Sequence, residues 1–462
     1  MKTKLIVGIL LLISLSFRFW TNFHEELLPG INGGYYPLQV RCILENGALG
    51  FPDFPLLFYF DAGIVRLLSF LGFEANDALI LLVVKCVDAL SLPCVLLLLY
   101  PLFKKIKNDF YAIFLVFGMA SLSFAPLHLI AELQKNTLAI VFVVGSFSQL
   151  ILFAQDNQKK HIGYSALFFV LTAMTHFGTF QFSMVYLSLL LLLQFGKKAI
   201  LPTTLFVVLS VSLVAVFDYS RFVRIFSLKE LFEHPFILGG FMPPPEIVQV
   251  LVAYIFIYAG FRFQKQLKDF PLKRNIVLAS ILALVFFSFP LISGQFVHRF
   301  SLFYFIPETM ILVLYIEFNH LSRIKKVSLS IYLLLSILGG IMMPQTIIMP
   351  IEVYTSLDKI KSKITLPATQ TLIVTKHGWE WWTAWKLNTH VAQEKGLTKN
   401  TLHSYRKCFA LREQKRPNGF GRMPPFPEVT KQKNDETIFS NAYIEVDSIQ
   451  LKEHIGKAKM LF

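Results

Sequence analysis

The chain has 462 residues and a formal net charge of +15, and 55% of its residues are hydrophobic. Only 16% are charged, against about 25% in a typical soluble domain, and the mean hydropathy is +0.57. This composition excludes an ordinary soluble protein. The positive charges fall in short runs between apolar stretches, which argues against a nucleic-acid partner and indicates orientation in a membrane.

Apolar segments of about 17 to 25 residues can cross a membrane as helices. The first, Leu5 to Phe17, resembles a signal peptide but lacks a small-residue cleavage site, so we interpret it as a retained helix. The sequence predicts about eleven transmembrane helices, at 5–20, 79–103, 110–125, 137–155, 162–177, 182–195, 199–217, 246–261, 275–292, 300–317 and 327–343.

The distribution of lysine and arginine predicts the orientation of these helices. With the N-terminus in the cytoplasm, the inner segments hold 17 Lys and Arg in 41 residues, whereas the outer loops hold 8 in 105. The inner segments are 1–4, 104–109, 156–161, 196–198, 262–274 and 318–326. We therefore expect a multi-pass protein of the plasma (inner) membrane with its C-terminal part outside.

Two outer regions are predicted to be structured. The first outer loop, 19–77, contains the apolar stretch Leu56–Phe73, which we place in the membrane interface as an amphipathic helix with Asp61 and Arg66 near water. The tail contains strand-like runs at 371–375 and 442–446. The predicted fold class is an α-helical polytopic membrane protein, divided into a multi-span domain (1–344) and a small α/β extracytoplasmic domain (345–462).

Acidic side chains in the first outer loop are candidates for catalysis. Beside glycine-rich and aromatic segments, a carboxylate could deprotonate an acceptor hydroxyl or hold a divalent metal near a phosphate. The simpler interpretation is a solvated loop whose acids face water. The acids are Glu25, Glu26, Glu45, Asp53 and Asp61.

Two motifs of this loop, HEELLPGINGGYYPLQVR (24–41) and GFPDFPLLFYF (50–60), resemble the GT-C superfamily of membrane glycosyltransferases. That superfamily includes protein O-mannosyltransferases, aminoarabinose transferases and oligosaccharyltransferases. Segment 28–36 lies where those families carry an acid followed by Gly and Tyr, and segment 53–56 lies where several carry Pro-Pro-Leu.

The chain departs from the first motif at Asn32, where the family pattern has an aspartate. An amide cannot act as a general base. Either the catalytic acid is displaced to Glu25, Glu26 or Asp53, with Asp53 ranked first, or the register of the comparison is wrong. A transferase-like protein without activity is a third interpretation.

The resemblance implies a GT-C-like fold that transfers sugar from a polyprenyl-phosphate donor to a glycan, lipid or protein acceptor at the outer face of the membrane. A divalent metal such as Mg²⁺ or Mn²⁺ is a candidate cofactor. The other expected partners are membrane lipids, in a cell-envelope setting. The candidate substrate-binding residues are Asn32, Tyr35, Tyr36, Arg41, Glu132, Lys135, His176, His298 and Arg299.

For two of these candidates the resemblance gives a specific reason to expect contact with the carrier phosphate. The run ELQKNTL (132–138) resembles a (D/E)xxKNxxG-type element of GT-C relatives, in which Lys135 would meet the phosphate. Relatives also place an arginine near a late helix for the carrier phosphate, a position similar to that of Arg299. The alternatives are an interfacial lysine and a headgroup-anchoring arginine.

Other polar or aromatic residues allow both structural and functional interpretations. Lys85 and Asp88 lie three residues apart on one helix and can pair with each other. His176 is either a substrate contact or a packed, hydrogen-bonded residue. Four of the five tryptophans lie within 379–385, where they can stack on a sugar, anchor the tail to the membrane or form a domain core.

Two other functional classes stay open. A transporter or flippase of lipid-linked substrates would explain charges within spans, but it predicts an inverted repeat, and none is visible. A non-catalytic envelope scaffold is the other alternative. The sequence has no P-loop, Rossmann fingerprint, HExxH or GxSxG motif, which argues against an ATPase, a dinucleotide enzyme, a zincin and an ordinary serine hydrolase.

Overall fold

A computed structural model describes most of the chain. The described residues are 2–104, 110–217, 219, 222–223, 228–236, 244–342, 348–361, 370–394, 397, 405–414, 429, 431–432 and 434–449. Within them, two compact units are distinguished. Unit 1 comprises 1–21, 51–61 and 86–344, and unit 2 comprises 22–50, 62–85 and 345–462. The predicted boundary at 344 stays a prediction.

The described residues are mostly helical, as expected where long apolar runs must satisfy their own backbone hydrogen bonds. In chain order the helices are α1 (Lys2–Phe23), α2 (Tyr35–Asn46), α3 (Leu56–Phe70), α4 (Asp77–Ser91), α5 (Cys94–Leu99), α6 (Phe110–Leu122), α7 (Phe124–His128), α8 (Gln134–Asp156), α9 (Lys160–Thr175), α10 (Phe177–Phe195), α11 (Ile200–Phe217), α12 (Leu228–Phe232), α13 (Pro244–Phe263), α14 (Pro271–Phe287), α15 (Gly294–Phe318), α16 (Arg323–Met342), α17 (Ile351–Lys361) and α18 (Glu380–Leu387).

Eight helical segments of the described chain are long and apolar enough to cross a membrane. They are Lys4–Phe23, Asp77–Phe103, Phe110–His128, Gln134–Asp156, Phe177–Val216, Glu246–Leu267, Phe296–Phe318 and Arg323–Ile341. Each of the eleven predicted spans overlaps a helix. Two of them lie together in Phe177–Val216, and two others match α9 and α14, with 16 and 17 residues. The prediction of a helical multi-pass membrane protein is confirmed, and the number of spans stays a prediction.

Small residues let the helices of unit 1 approach closely. Helices in a membrane associate through such close packing, because the hydrophobic effect does not drive their association in lipid. A Cβ on Gly340 of α16 would lie 2.8 Å from the Cβ of Leu127 in α7. On α8, the Ser146 hydroxyl lies 2.8 Å from the Ser165 hydroxyl of α9. These contacts bring the helices together with their polar groups satisfied.

Unit 2 contains the five-stranded mixed sheet of the tail. Its strands are β1 (Thr371–Thr375), β2 (His390–Ala392), β3 (Lys407–Glu413), β4 (Glu436–Ser440) and β5 (Ile444–Ser448). Their order is β2-β1-β3-β5-β4, with β1 parallel to β2 and β3, and β5 antiparallel to β3 and β4. The predicted small α/β region is confirmed.

The tryptophan cluster forms a core within unit 2. Trp379 and Trp382 are completely buried, Trp385 is 4% exposed, and the Trp379 indole N–H donates to the carbonyl of Ile348 at 3.0 Å. Only Trp381 is half-buried. Of the three interpretations of the cluster, domain core is the one that fits these three buried rings, because their faces are not available to a sugar or to lipid.

Cys408 on β3 offers a pH-dependent test of the sheet. Burial raises the pKa of its thiol to about 11, against about 8.5 for an exposed cysteine. Because the folded pKa lies above the unfolded value, the folded state favours the protonated thiol, and this contribution to stability is lost as the pH rises from about 8.5 towards 11.

In a protein whose other three cysteines are serine, we therefore expect alkylation of folded Cys408 by iodoacetamide to accelerate about tenfold per pH unit from pH 8 to 10. Mass spectrometry of the labelled peptide measures the rate. The unfolded chain should level off near pH 9, and a folded protein that also levels off there would contradict the burial.

Candidate functional site

A buried ion pair connects the first-ranked candidate acid, Asp53, with Lys135, one of the two residues predicted to meet the carrier phosphate. Asp53 precedes α3, and Lys135 lies in the first turn of α8, 82 residues later. The Lys135 ammonium donates to Oδ2 of Asp53. Asp53 is 3% exposed and Lys135 is 7% exposed. A buried charge without a partner costs on the order of several kcal/mol. The two opposite charges therefore stabilise each other here.

Aromatic residues lie next to both members of this ion pair. The Lys135 ammonium lies 5.6 Å from the ring centroid of Phe58, and the rings of Phe54 and Phe177 stack at 6.2 Å. The backbone N–H of Phe54 donates to Oδ1 of Asp53 at 2.8 Å. In such an apolar setting, charge interactions are stronger than in water. The pair is therefore suited to bind a charged substrate group, which would take the place of one of the two side chains as the partner of the other.

A second buried ion pair supports the turn that leads into α8. Ala131 in this turn has a φ of 65°, which costs an L-residue about 1–2 kcal/mol. Its N–H donates to Oδ2 of Asp88 at 2.9 Å, and Arg18 donates to Oδ1 of Asp88 at 3.1 Å. Arg18 also donates to the carbonyl of Pro126 at 3.2 Å. Asp88 and Arg18 thus fix the backbone that positions Lys135.

Lys85 and Asp88, which helical spacing would allow to pair, each have another partner. Asp88 accepts from Arg18, and Lys85 instead donates to the backbone carbonyls of Glu25 and Glu26, both at 2.8 Å. Helical spacing showed only that the two side chains could meet, and their partners lie about 60 to 70 residues away in the chain, which spacing cannot reveal.

The expectation that Asp61 lies near water is also wrong. Asp61 is completely buried, and within the described residues neither carboxyl oxygen has a hydrogen-bond partner. Burial, and then the negative charge of Asp88, raise its pKa well above the usual range. Arg66 is exposed, as predicted. The reason is the buried stripe of α3, formed at helical spacing by Leu57, Phe58, Asp61, Ala62 and Val65.

His176 caps a helix beside the ion pair. It precedes α10, and its Nδ1 accepts the backbone N–H of Thr179 at 3.2 Å. The next residue, Phe177, is the ring that stacks on Phe54. This arrangement gives His176 a structural role, and its predicted contact with substrate stays a prediction.

Replacing His176 tests the capping role. We expect His176→Ala to reduce the free energy of unfolding by about 0.5–2 kcal/mol, and His176→Asn to restore it because asparagine also caps helices. Unfolding in detergent, followed by far-UV circular dichroism, measures the change. If His176→Asn were as unstable as His176→Ala, the capping role would be wrong.

The remaining candidates of the segment 19–77, the predicted first outer loop, belong to unit 2. Glu25 and Glu26 are exposed, Asn32 and Tyr35 are half-buried, and Tyr36 is 2% exposed. The Tyr35 and Tyr36 rings meet edge-on at 5.8 Å. Their role in substrate binding stays a prediction.

Arg41 and the glycines of the motif have structural contacts within unit 2. The Arg41 guanidinium lies 3.6 Å from the ring centroid of Trp385, donates to its carbonyl at 2.7 Å and pairs with Asp77 at 2.6 Å. A Cβ on Gly34 would lie 2.8 Å from the Trp382 ring. The close approach of this ring explains why glycine occupies the position.

The other unit 1 candidates lie at the ends of helices. Glu132 is half-buried in the turn before α8, and Arg299 is exposed in α15. His298 lies 2.7 Å from the carboxylate of Glu246, at the start of α13. Sequence reasoning did not identify Glu246, although an acid at the edge of an apolar span is a signal for function.

A metal site is not formed by the described residues alone. Among them, no group of three or more His, Cys, Asp and Glu side chains is arranged to hold a metal ion. Asp53, the first-ranked candidate acid, is engaged with Lys135 instead. The candidate divalent metal stays a prediction.

Comparison with known proteins gives a structural similarity and no similarity at the level of sequence families. No protein-family model and no curated protein sequence matches the chain. Among solved structures, the chain is similar to the arabinofuranosyltransferase AftD from mycobacteria, determined by cryo-electron microscopy, with 10% sequence identity and a TM-score of 0.49. The alignment covers 96% of this chain and 40% of that chain, so the present protein spans less than half of its length.

Proposed function

We propose that the protein is a GT-C-like glycosyltransferase that moves a sugar from a polyprenyl-phosphate donor to a glycan, lipid or protein acceptor at the outer face of the plasma membrane. The observation that carries the proposal is the buried pair of Asp53 and Lys135 in unit 1. A membrane-embedded chain with apolar helices suits a donor whose carrier is itself a lipid.

The pair supplies the two groups that the reaction needs. As the bond between the sugar C1 and the phosphate oxygen breaks, its electron pair stays on the phosphate, where the Lys135 ammonium stabilises the charge. The acceptor hydroxyl forms the new bond to C1 and gives its proton to the Asp53 carboxylate. A donor phosphate next to Lys135 competes with Asp53 for the ammonium, which releases the carboxylate to act as the base.

Asp53 suits this role better than the other candidate acids. Asn32 carries an amide, which cannot take the proton. Glu25 and Glu26 are exposed, so water solvates their carboxylates. Asp53 combines burial with a cation in direct contact. In this proposal, Arg299 contributes a second positive charge for the carrier phosphate.

Reconstituted protein tests the proposal. Proteoliposomes are supplied with a panel of radiolabelled polyprenyl-phosphate sugars and with membrane extract as the acceptor source. We expect label to leave the polyprenyl lipid and appear in a new product, and not to do so in protein-free liposomes. Intact donor that only moves between leaflets would favour a flippase, and a lack of turnover with every donor would favour a scaffold.

A further inference from the structure

A second buried carboxylate in unit 1 is engaged with a histidine. Glu246 is completely buried, and its Oε1 lies 2.7 Å from Nδ1 of His298. Its Oε2 has no hydrogen-bond partner among the described residues. A glutamine would provide the same acceptor without the cost of burying a charge. The presence of a carboxylate therefore indicates that the charge itself has a use.

The imidazole of His298 is partly accessible. Its side chain is 39% exposed, whereas that of Glu246 is completely buried. The His128 ring meets it edge-on at 6.0 Å and is itself stacked on Phe124 at 5.4 Å. Because Glu246 engages Nδ1, the other ring nitrogen, Nε2, is left for a ligand.

The segment that carries His128 also leads to the Asp53–Lys135 pair. His128 ends α7, and the turn anchored by Asp88 follows at Ala131. Lys135 comes four residues later, in the first turn of α8. His298 therefore contacts the segment 128–135 through His128, and Lys135 belongs to that segment. Asp88 anchors the turn between them.

We propose that Glu246 is a positioning residue that holds His298 so that its Nε2–H donates to a phosphate oxygen of the polyprenyl-phosphate carrier. The inference deepens the proposed transferase function and rests on it. In this arrangement the ring is held by the buried carboxylate at Nδ1 and donates its Nε2–H to the phosphate. Arg299, the next residue in the chain, adds a positive charge next to His298.

Binding of radiolabelled polyprenyl phosphate to the protein in nanodiscs tests the inference. Loss of a hydrogen bond between charged groups should weaken binding by about 10- to 100-fold in His298→Gln. We expect Glu246→Gln to weaken it about 3- to 10-fold, because the ring is then held less firmly. In the double variant, binding should equal that of His298→Gln, since Glu246 acts only through the histidine.

The controls separate positioning from general damage. Glu230→Gln removes an exposed acid and should leave binding unchanged. If Glu246→Gln fails to fold, Glu246→Asp is used in its place, because it retains the charge. The wild type provides an independent test, in which solid-state ¹⁵N NMR of the His298 ring should show a shift of the Nε2 signal when polyprenyl phosphate is added. If Glu246→Gln weakened binding by the same factor in the wild type and in the His298→Gln background, the inference would be overturned. Unchanged binding in both single variants, or an unchanged Nε2 signal, would also overturn it.

This binding measurement does not depend on sugar transfer. If the wild type transfers no sugar but the coupling between Glu246 and His298 is observed, the transferase proposal fails and the positioning role stands. If the wild type transfers sugar but neither variant changes binding, the positioning role fails and the transferase stands.

Discussion

Asp53→Asn should lower the kcat of sugar transfer by about 100- to 10,000-fold, the usual contribution of a general base. The amide preserves the size of the side chain and can still accept the N–H of Phe54, but it cannot take a proton from the acceptor. The measurement is the initial rate of label transfer in proteoliposomes at saturating donor, normalised to inserted protein.

Stability must be separated from chemistry in this variant. Asp53→Asn leaves the Lys135 ammonium buried without its counter-charge, which costs about 3–5 kcal/mol. Asp53→Asn combined with Lys135→Met removes both charges and should recover stability without recovering activity. Glu45→Gln, an exposed acid of the same loop, should change neither. Full transfer by a folded Asp53→Asn protein would remove Asp53 from the mechanism.

Arg18→Ala should reduce the free energy of unfolding by about 3–5 kcal/mol, because it leaves the buried Asp88 carboxylate without a cation. Transfer should also fall, because Asp88 holds the strained turn at Ala131 that leads to Lys135. The midpoint of thermal unfolding in detergent, followed by intrinsic fluorescence, measures the effect.

Matched variants identify the cause. Arg323→Ala removes an exposed arginine and should leave the midpoint unchanged. Asp88→Asn should be milder than Arg18→Ala, because the amide can still accept from Ala131 and Arg18 keeps its contacts to backbone carbonyls. If Arg18→Ala melted at the same temperature as Arg323→Ala, the Arg18–Asp88 pair would not stabilise the helices.

The positions of the helices could be predicted because a membrane-spanning run is a local property of the sequence. The same holds for the strand at 371–375, where β-branched residues cluster between polar segments. The orientation drawn from the Lys and Arg counts stays a prediction. Here, local patterns were sufficient for secondary structure and fold class.

Partners could not be predicted, because they depend on contacts between residues far apart in the chain. Asp53 and Lys135 were each selected from short motifs, yet neither motif indicated that they bind each other. Arg18 follows the first apolar run directly, and nothing in the sequence indicates its pairing with Asp88, which spans 70 residues. Asp61 was expected in water because it is charged, although its spacing with Leu57 and Val65 places it on a buried stripe.

The most direct test of the proposed site is a cryo-electron microscopy structure of the protein in nanodiscs with bound polyprenyl phosphate. The proposed function predicts a phosphate oxygen about 3 Å from the Lys135 ammonium, with the Asp53 carboxylate released from that lysine. Phosphate bound elsewhere, with the Asp53–Lys135 pair still closed, would contradict it.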